Sequence, residues 1–543
     1  MNRCCSTLPT LILQFWCTII ISIPVENRKV LFIPTGNLSQ FIEMHGLGRE
    51  LLRRGHEVSV LLSKGEMLPD RAISSGYQVI NHKGKSLMPT EDEEQFFITL
   101  NPTIIMKMIF SKEGPLQNLK EKVIQNCRGL IRDKETLENI QKEHFDFAVI
   151  NFLNGCGFIL AYYFNLEYAA IFSGIDIMTP RWAILPSIHR GILGLMTESM
   201  MMPFGNGYSF MDRLVRLIAA IFSSYMVGHV HNTLLEDITT ELNISITPSI
   251  IASKSALFFV NYEPLFSVDP LPEQPNLLIT SGIGTEPSRP LKNEQLMQFA
   301  DGSNEGLVVF SMGSFISAIP IDMVLKVLTA VAPLKQRMVM RLHNKTTEKL
   351  VEQSKIPENV LILNWLPQND LLGHKNTVLF VSHCGNNGLL EALYHGVPIL
   401  AIPLFGDEIG NAHEVVARGF GQSLDHKTFT ADEFRGAVVE LVNNKSYRSA
   451  IKKASAIFHS RQPPGERAAD AIEHVIKFGS KHLRPHAAYE LSIWEIYMFD
   501  IFFVVCSVLL LMLVLCYCFI RCIASSVGNS NHRSSSAFKK KDD

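Results

Sequence analysis

An uncharged run of twenty residues near the C-terminus limits how this chain can fold. It spans residues 501–520 and reads IFFVVCSVLLLMLVLCYCFI. As a helix rising about 1.5 Å per residue, this run matches the roughly 30 Å hydrocarbon core of a bilayer. The sequence therefore predicts one transmembrane helix, over residues 497–520, and a single span argues against a transporter.

The charges on either side of this run predict its orientation. Residues 521–543 carry five basic and two acidic side chains, whereas Glu490, Glu495 and Asp500 precede the run. Because basic residues favour the cytosolic side, 521–543 is predicted to be a basic cytoplasmic tail and the body to be luminal, as in a single-pass type I protein. The segment KKKDD at 539–543 resembles a dilysine retrieval signal, which favours the endoplasmic reticulum membrane; a role in topology alone is the alternative.

The N-terminus carries a second apolar stretch. Residues 8–23 are uncharged, contain Pro9, and are followed by the charged segment 26–29. This pattern is typical of a secretory signal peptide, here residues 1–24, and an uncleaved anchor is the alternative because no clear small-residue cleavage site is visible. Either interpretation sends the body into a lumen.

The composition of the body favours a folded protein of several domains. At 543 residues the chain exceeds the usual size of one domain. The 50 basic and 52 acidic residues give a formal net charge of -2, and 47% of residues are hydrophobic. Neither disorder nor electrostatic binding of nucleic acid is therefore expected.

Cysteines and glycosylation sequons add little to this interpretation. Of ten cysteines, only Cys127, Cys156 and Cys384 lie in the predicted luminal part. They lack metal-site spacing, so we expect them to be small buried packing residues and predict no metal site. Acceptor sequons begin at Asn37, Asn243, Asn344 and Asn444.

Both halves of the body alternate apolar strands with amphipathic helices. In the first half, strands are predicted at 29–34, 56–62 and 146–151, with a helix at 41–54. Strand, helix and strand in this order predict a parallel sheet. A proline-rich stretch at 264–290 is the predicted linker. The second half then repeats the pattern, with strands predicted at 306–311, 338–342, 360–364, 378–382 and 399–403. The predicted domains are 25–280 and 281–485.

The segment 365–415 carries the clearest chemical signal. The strand at 378–382 runs into His383-Cys384-Gly385-Asn386-Asn387-Gly388 and then a helix. Glycines there let the backbone approach an anion at the helix N-terminus, where free N–H groups and the helix dipole favour phosphate. His383 and Asn387 can donate to phosphate oxygens, and Glu391 can accept from ribose hydroxyls. The pattern predicts a bound nucleoside diphosphate at the strand ends.

These residues resemble the signature of the UDP-glycosyltransferases, the family that includes the UDP-glucuronosyltransferases of animal endoplasmic reticulum. The resemblance extends to the segments 30–34, 54–58 and 310–314, to the membrane helix and to the tail. It implies an α/β fold of the GT-B type, in which two Rossmann-like lobes enclose a donor cleft. It further implies that the C-terminal lobe holds the UDP-sugar and the N-terminal lobe a small lipophilic acceptor.

The resemblance also assigns individual donor-binding residues. Trp365 and Gln368 match positions that flank uracil and ribose, and Glu391 matches the ribose carboxylate. Ser314, His383 and Gly385 match the phosphate site, and Asn387 lies beside phosphate and sugar. Asp407 and Glu408 match the pair that contacts the sugar hydroxyls. No cofactor is predicted beyond the UDP-sugar itself, which is a co-substrate.

Two departures from the family pattern affect the predicted chemistry. The catalytic His and its orienting Asp correspond here to Gln40 and Asn151, and an amide cannot accept a proton near neutral pH. An amine acceptor, which brings its own lone pair, is therefore favoured. His45 is a candidate replacement base, although five helical positions turn it about 140° away from Gln40.

Glu408 is the second departure, since the family commonly has Gln there. Next to Asp407, a second carboxylate would repel the charged C6 of glucuronate, which favours a neutral donor such as UDP-glucose.

Three hypotheses follow from the sequence. The first is an inverting transferase that moves glucuronate or glucose from a UDP-sugar to small lipophilic acceptors. The second is a catalytically silent relative that binds UDP-sugar or a hydrophobe and regulates an active partner. The third is a sugar-nucleotide epimerase, which would need no membrane anchor. A homo- or hetero-oligomer with related transferases is compatible with the first two hypotheses.

Overall fold

A computed structural model describes most of the chain. It covers residues 27–35, 38–68, 70–86, 115–173, 232–266, 275–313, 319–343, 346–348, 350, 356–404, 407–484, 495 and 498–538. The predicted signal peptide, the sequons at Asn37 and Asn344, the site residue Ser314 and the segment 539–543 lie outside the described residues.

The first sheet has seven parallel strands in the order β3-β2-β1-β4-β5-β6-β7. They are β1 Lys29–Ile33, β2 Glu57–Ser63, β3 Gln78–His82, β4 Phe147–Asn151, β5 Glu167–Phe172, β6 Leu257–Val260 and β7 Leu277–Ile279. The helices of this half are α1 Leu38–Arg53, α2 Asp70–Ile73, α3 Pro115–Ile131, α4 Lys134–Glu143, α5 Gly155–Tyr163 and α6 Pro248–Ser253, together with helical residues 232–241. We call this sheet and its helices the N-terminal lobe.

The second sheet has six parallel strands in the order β10-β9-β8-β11-β12-β13. They are β8 Leu307–Ser311, β9 Arg337–Arg341, β10 Val360–Leu363, β11 Thr377–Ser382, β12 Ile399–Ala401 and β13 Gly421–Ser423. Its helices are α7 Glu294–Asp301, α8 Ile321–Val331, α9 Gln368–Leu372, α10 Asn386–His395, α11 Glu408–Ala417, α12 Ala431–Asn443 and α13 Lys445–His459. We call this part the C-terminal lobe.

Burial on both faces explains why the strands read as continuous apolar runs. β1 lies between β2 and β4, with Val30 paired to both Val58 and Phe147. In the C-terminal lobe, separate clusters of buried side chains cover opposite faces, one containing Phe310 and the other Val309. Parallel sheets covered by helices on both sides have this composition.

The predicted α/β pattern is confirmed in both halves, but several strands were missed. β3, β5, β6, β7 and β13 were absent from the sequence-based prediction. β7 lies inside the proline-rich stretch 264–290, where three residues suffice to pair with β6, Val260 lying opposite Ile279. The prolines exclude a long element there but leave room for a short edge strand.

One further helix, α14 Pro464–Phe478, follows the C-terminal lobe in sequence and packs on the N-terminal lobe. Its residues Ala468, Ile472 and Val475 are buried in the same cluster as Met44 and Leu47 of α1. After the C-terminal lobe, the chain therefore crosses back and packs α14 against the N-terminal lobe.

A disulfide corrects the prediction that the luminal cysteines are simple packing residues. Cys127 of α3 and Cys156 of α5 are bonded, with their Cα atoms 5.5 Å apart. Cys384 is buried and unbonded, as expected. Disulfides persist in oxidising compartments, which agrees with the predicted luminal position of the body.

The remaining described helix is α15 Phe499–Phe538. Its residues 499–525 are long and apolar enough to cross a bilayer, and an 18-residue window within them has a mean hydropathy of 3.0. The predicted span falls largely within this helix.

Candidate active site

The turn between β11 and α10 places His383 between two glycines. A Cβ atom at Gly313 would lie 2.5 Å from Nε2 of His383, and one at Gly385 would lie 2.4 Å from it. Gly313 also has a φ of 78°, a left-handed value that favours glycine. On the other side of the turn, the Ser382 hydroxyl accepts the Cys384 N–H at 3.0 Å. Both glycines therefore make room for the imidazole.

The environment of His383 favours its neutral form. Burial lowers the pKa of His383 to about 4, the Ser311 backbone partly offsets this, and the Arg341 guanidinium lowers it further. At neutral pH the side chain is an uncharged imidazole with one N–H to donate. It can therefore donate a hydrogen bond to a phosphate oxygen without adding a positive charge.

The first turn of α10 adds backbone donors beside His383. Helix N-termini leave their first N–H groups without partners in the helix, and α10 starts at Asn386 directly after the His383 turn. With ten residues, α10 is long enough to orient a dipole toward this end. The structure therefore brings His383, the two glycines and the helix N-terminus together at one point.

Arg341 lies at the same edge of the sheet. It is the last residue of β9, its guanidinium lies 5.1 Å from the centre of the Trp365 ring, and it donates to the Gly313 carbonyl. The Trp365 side chain remains 48% exposed. The guanidinium thus lies over one face of the aromatic ring.

Two further predicted residues meet between α9 and α10. The Gln368 carboxamide donates to the Glu391 carboxylate. The amide nitrogen of Gln368 also lies 3.5 Å from where a Cβ atom at Gly388 would be. The structure therefore brings together two residues that were predicted to hold the same nucleoside.

Asp407 and Glu408 begin α11 close to the same turn. Glu408 is buried, accepts the Leu404 N–H at 2.7 Å, and has its other carboxylate oxygen 3.9 Å from Nε2 of His383. Asp407 accepts from Asn411 at 3.2 Å, and Asn411 also donates to the Cys384 carbonyl at 2.9 Å. Glu408 therefore faces the protein interior beside His383 and is not turned to solvent.

The two amides at the predicted dyad positions lie at the carboxyl edge of the first sheet. Gln40, in α1, accepts a hydrogen bond from the Thr35 hydroxyl. Asn151, the last residue of β4, is buried and accepts the Leu153 N–H at 3.1 Å. Each amide is thus held by residues close to it in sequence.

His45 does not occupy a position suited to replace the missing base. Its Nδ1 lies 3.0 Å from the Tyr77 hydroxyl, and its ring stacks on Phe41 with centroids 6.4 Å apart. Phe41 lies one turn earlier in α1, and Tyr77 directly precedes β3. The alternative base considered from the sequence therefore points into the N-terminal lobe.

Glu43, one turn beyond Gln40, is fully buried where the two lobes meet. It accepts hydrogen bonds from the Ser173 hydroxyl and the Asn261 carboxamide, both at 3.1 Å. Asn261 also donates to Asn387 at 3.0 Å. Asn386 donates to the carbonyls of Ser173 and Asn261. We call Glu43, Ser173, Asn261, Asn386 and Asn387 the interlobe cluster.

The pKa of Glu43 is raised to about 7. Burial is the main cause, and hydrogen bonds from Asn261, Ser173 and Asn387 oppose it. The side chain can therefore exchange a proton near neutral pH.

Comparison with known proteins identifies the family. Residues 28–532 match the family model described as UDP-glucoronosyl and UDP-glucosyl transferase. The chain belongs to this family. It is 27% identical over 488 residues to human UDP-glucuronosyltransferase 1A9, covering 88% of each chain. It is 29% identical over 478 residues to mouse 2-hydroxyacylsphingosine 1-beta-galactosyltransferase, covering 84% of this chain and 81% of that protein.

Solved structures agree with the two-lobed fold. The glycotransferase of kitacinnamycin matches with a TM-score of 0.56 and 18% identity, covering 83% of this chain and 99% of its own. CalG4, the calicheamicin glycosyltransferase, matches with a TM-score of 0.55, 18% identity and the same coverage. The predicted GT-B fold is thereby confirmed.

Sequence reasoning missed two features of this UDP-glycosyltransferase family member. Arg341 could have been noticed as a charge that ends the apolar strand RMVMR at the carboxyl edge of the sheet. Glu43 could have been noticed as an acid among the buried residues Phe41, Met44 and Leu47 of α1. Within the described part of the chain, no group of three or more His, Cys, Asp or Glu side chains could hold a metal ion.

Proposed function

We propose that the protein is a membrane-anchored, inverting glycosyltransferase that moves glucose or glucuronate from a UDP-sugar to small lipophilic acceptors. The observation that carries the proposal is the assembled anion site, in which neutral His383 lies between Gly313 and Gly385 at the N-terminus of α10. Family membership supports the same reaction class.

In this proposal the C-terminal lobe binds the donor. Trp365 stacks on the uracil, and Gln368 and Glu391 bind the ribose. His383, Arg341, Ser314 and the first N–H groups of α10 bind the diphosphate. Asn387, Asp407 and Glu408 lie beside the sugar. These groups need no metal or cofactor to offset the charge of the departing UDP.

The reaction is a displacement at the anomeric carbon. The acceptor atom forms a bond to that carbon as the bond to the β-phosphate oxygen breaks, and the electron pair leaves with UDP. Charge accumulates on the phosphate, where preorganised donors stabilise the transition state more than the ground state.

The substituted dyad bears on the choice of acceptor. Gln40 and Asn151 cannot take a proton from a hydroxyl group, and general-base catalysis is typically worth about 10²- to 10⁴-fold. A neutral amine attacks through its own lone pair and loses its proton afterwards. Where no other group replaces this base, amines should therefore react faster than alcohols or phenols of the same size.

Glu408 bears on the choice of donor sugar. Its buried carboxylate lies near His383 and beside Asp407. Two carboxyl groups next to the sugar disfavour a third on glucuronate. UDP-glucose is therefore the preferred donor in this proposal.

The proposed location in the cell rests on the apolar span and on the basic residues that follow it. The proposed span at 497–520 anchors the protein in the endoplasmic reticulum membrane, with the body in the lumen and the basic residues after it in the cytosol. The apolar helix α15 and the disulfide between Cys127 and Cys156 support this placement.

The test measures UDP release by membranes that contain the full-length protein. UDP-glucose and UDP-glucuronate are each offered with a phenol and an amine of similar size, and His383→Ala is the control. Release that needs an acceptor and falls at least about 10-fold in His383→Ala supports the proposal. Equal release with and without acceptor would contradict it.

A second candidate is a silent, regulatory relative that binds UDP-sugar. The observation in its favour is that both dyad positions are amides engaged in local hydrogen bonds. UDP binding without sugar transfer to any acceptor would favour this candidate over the transferase.

A further inference from the structure

One acid of the interlobe cluster has no part in donor binding. Glu43 is completely buried, although its carboxyl group lies on the same helix as the substituted base position Gln40 and one turn further along. Burying a carboxyl group costs free energy unless hydrogen bonds compensate, and here Ser173 and Asn261 both donate to it. Because its burial is unfavourable, a chemical role would explain why a carboxyl group is present at position 43.

The order of the strands places the hydrogen-bond partners of Glu43 at the carboxyl edge of the first sheet, where the dyad positions Gln40 and Asn151 also lie. Asn151 ends β4 and is paired with Ile171 of β5, so Ser173 follows β5 at the same carboxyl edge. Asn261 follows β6, the next strand of the sheet. Ligands of parallel α/β sheets bind outside the carboxyl ends of the strands.

The same cluster also includes residues of the C-terminal lobe, which is proposed to bind the donor. Asn261 bridges the Glu43 carboxyl group and the Asn387 carboxamide at 3.1 and 3.0 Å. Asn387 lies in the first turn of α10, beside the proposed diphosphate site. Glu43 and Asn261 are fully buried, whereas Ser173, Asn386 and Asn387 are half-buried. Of these three half-buried residues, only Ser173 carries a hydroxyl, and that hydroxyl donates to Glu43.

We propose that Ser173 and Glu43 together take the acceptor proton, replacing the base that Gln40 cannot supply. This inference rests on the proposed transferase function. As the acceptor oxygen bonds to the anomeric carbon, its proton passes to Oγ of Ser173, and the Ser173 proton passes to the Glu43 carboxylate. The electron pair of the broken bond leaves with UDP. With an amine acceptor, the same pair removes the proton after attack.

The surroundings of Glu43 suit this role. The groups that contact it are neutral, namely Ser173, Asn261 and Asn387, and burial holds its pKa at about 7. A base whose pKa lies near the working pH combines adequate ionisation with a sufficient tendency to bind a proton. In this arrangement Ser173 is the catalytic residue and Glu43 acts through it.

The first test is the Glu43→Gln variant in membranes containing the full-length protein. We expect kcat with a hydroxyl acceptor to fall about 10²-fold, the lower end for loss of a general base, with little change in UDP affinity. In the wild-type protein kcat should rise with pH to a plateau above about 7, because only ionised Glu43 accepts a proton. In Glu43→Gln this rise should disappear, which a purely structural role would not cause.

Ser173 supplies a matched pair of variants that does not alter the buried acid. Ser173→Ala removes the hydroxyl relay, whereas Ser173→Thr keeps a hydroxyl on the same carbon. We expect Ser173→Ala to lose activity as Glu43→Gln does and Ser173→Thr to recover most of it. Thermal unfolding and UDP binding establish that each variant is folded. If Glu43→Gln does not fold, the comparison of Ser173→Ala with Ser173→Thr still tests the proposed proton relay.

The outcomes separate this inference from the proposed function. Full hydroxyl transfer by Glu43→Gln or Ser173→Ala, with transfer reduced in His383→Ala, would overturn the inference and leave the transferase function intact. Absence of transfer by the wild-type protein with both donors would overturn both.

Discussion

At the scale of single residues, His383 should act as a neutral hydrogen-bond donor. We expect His383→Ala to lower kcat/KM about 10- to 100-fold, since a hydrogen bond to a charged group contributes about 1.5–3 kcal/mol. His383→Gln, which keeps an N–H donor, should recover part of the loss.

The pH dependence of UDP binding checks the charge of His383. Because its pKa is depressed to about 4, His383 stays neutral at every pH above about 5, and no binding change between pH 5.5 and 8 should come from its titration. Calorimetric titration of wild-type and His383→Gln protein measures this. A gain in affinity on acidification through pH 6.5 that is absent from His383→Gln would show a charged imidazole instead.

Gln40 and Asn151 permit the opposite kind of experiment, the restoration of a dyad. We expect Gln40→His combined with Asn151→Asp to raise turnover of a phenol relative to an amine, and the gain should reach about 10²-fold, the lower end for general-base catalysis, where Ser173 and Glu43 do not already take the proton. Asp at 151 can still accept the Leu153 N–H, so local geometry should be kept.

Placing the double substitution in Glu43→Gln tests the two proposed bases against each other. Since the imidazole would supply the missing proton acceptor, phenol turnover should return. The phenol-to-amine ratio in each variant is the measurement, and an unchanged ratio would mean that the dyad positions are misassigned.

The same residues show what sequence alone could predict of the site. The donor-binding residues after β11 could be predicted because the histidine, the glycines and the start of the helix are adjacent in the chain. The interlobe cluster could not be named, since Glu43, Ser173, Asn261 and Asn387 come from four distant elements. Their proximity depends on the order of strands in the sheet and on how the lobes meet, which no local pattern reports.

At the scale of elements, whether a strand was predicted depended on its length and on the residues that flank it. β1, β2, β4 and β8 read as apolar runs at least five residues long, and their bounds were found to within two residues. β6 and β7 have four and three residues and lie among polar or proline-rich segments. Short strands become recognisable only when a neighbouring strand supplies their hydrogen bonds.

The disulfide between α3 and α5 leads to a stability prediction. Replacing Cys127 and Cys156 together by Ala should lower the free energy of unfolding by about 2–5 kcal/mol, since the bond closes a long loop in the unfolded chain. Thermal unfolding with and without reductant measures the effect. Reductant should lower the melting temperature of the wild-type protein and not that of the double variant; equal sensitivity would contradict the assignment.

At the scale of the whole molecule, α14 connects the end of the C-terminal lobe to the N-terminal lobe. Arg54, at the end of α1, contacts Asp470 at 2.7 Å and Glu473 at 3.1 Å, and Glu50 at 2.8 Å. His56 adds a contact to Glu473 at 3.0 Å. Because apolar packing and an ion-pair network act on the same helix, the lobes should unfold together.

Arg54→Met tests this coupling, because methionine keeps much of the apolar stem and removes the charge. The arginine is half-buried and its partner Asp470 is exposed, so solvent screens these ion pairs, and we expect a loss of about 1–2 kcal/mol. Calorimetry should show one broad or two separate transitions where the wild-type protein shows one. Lys29→Met, which removes an exposed cation from the same lobe, should leave a single transition. If Arg54→Met also unfolds in one sharp step, the ion pairs of Arg54 are not needed to couple the lobes, and the apolar contacts of α14 and the interlobe cluster suffice.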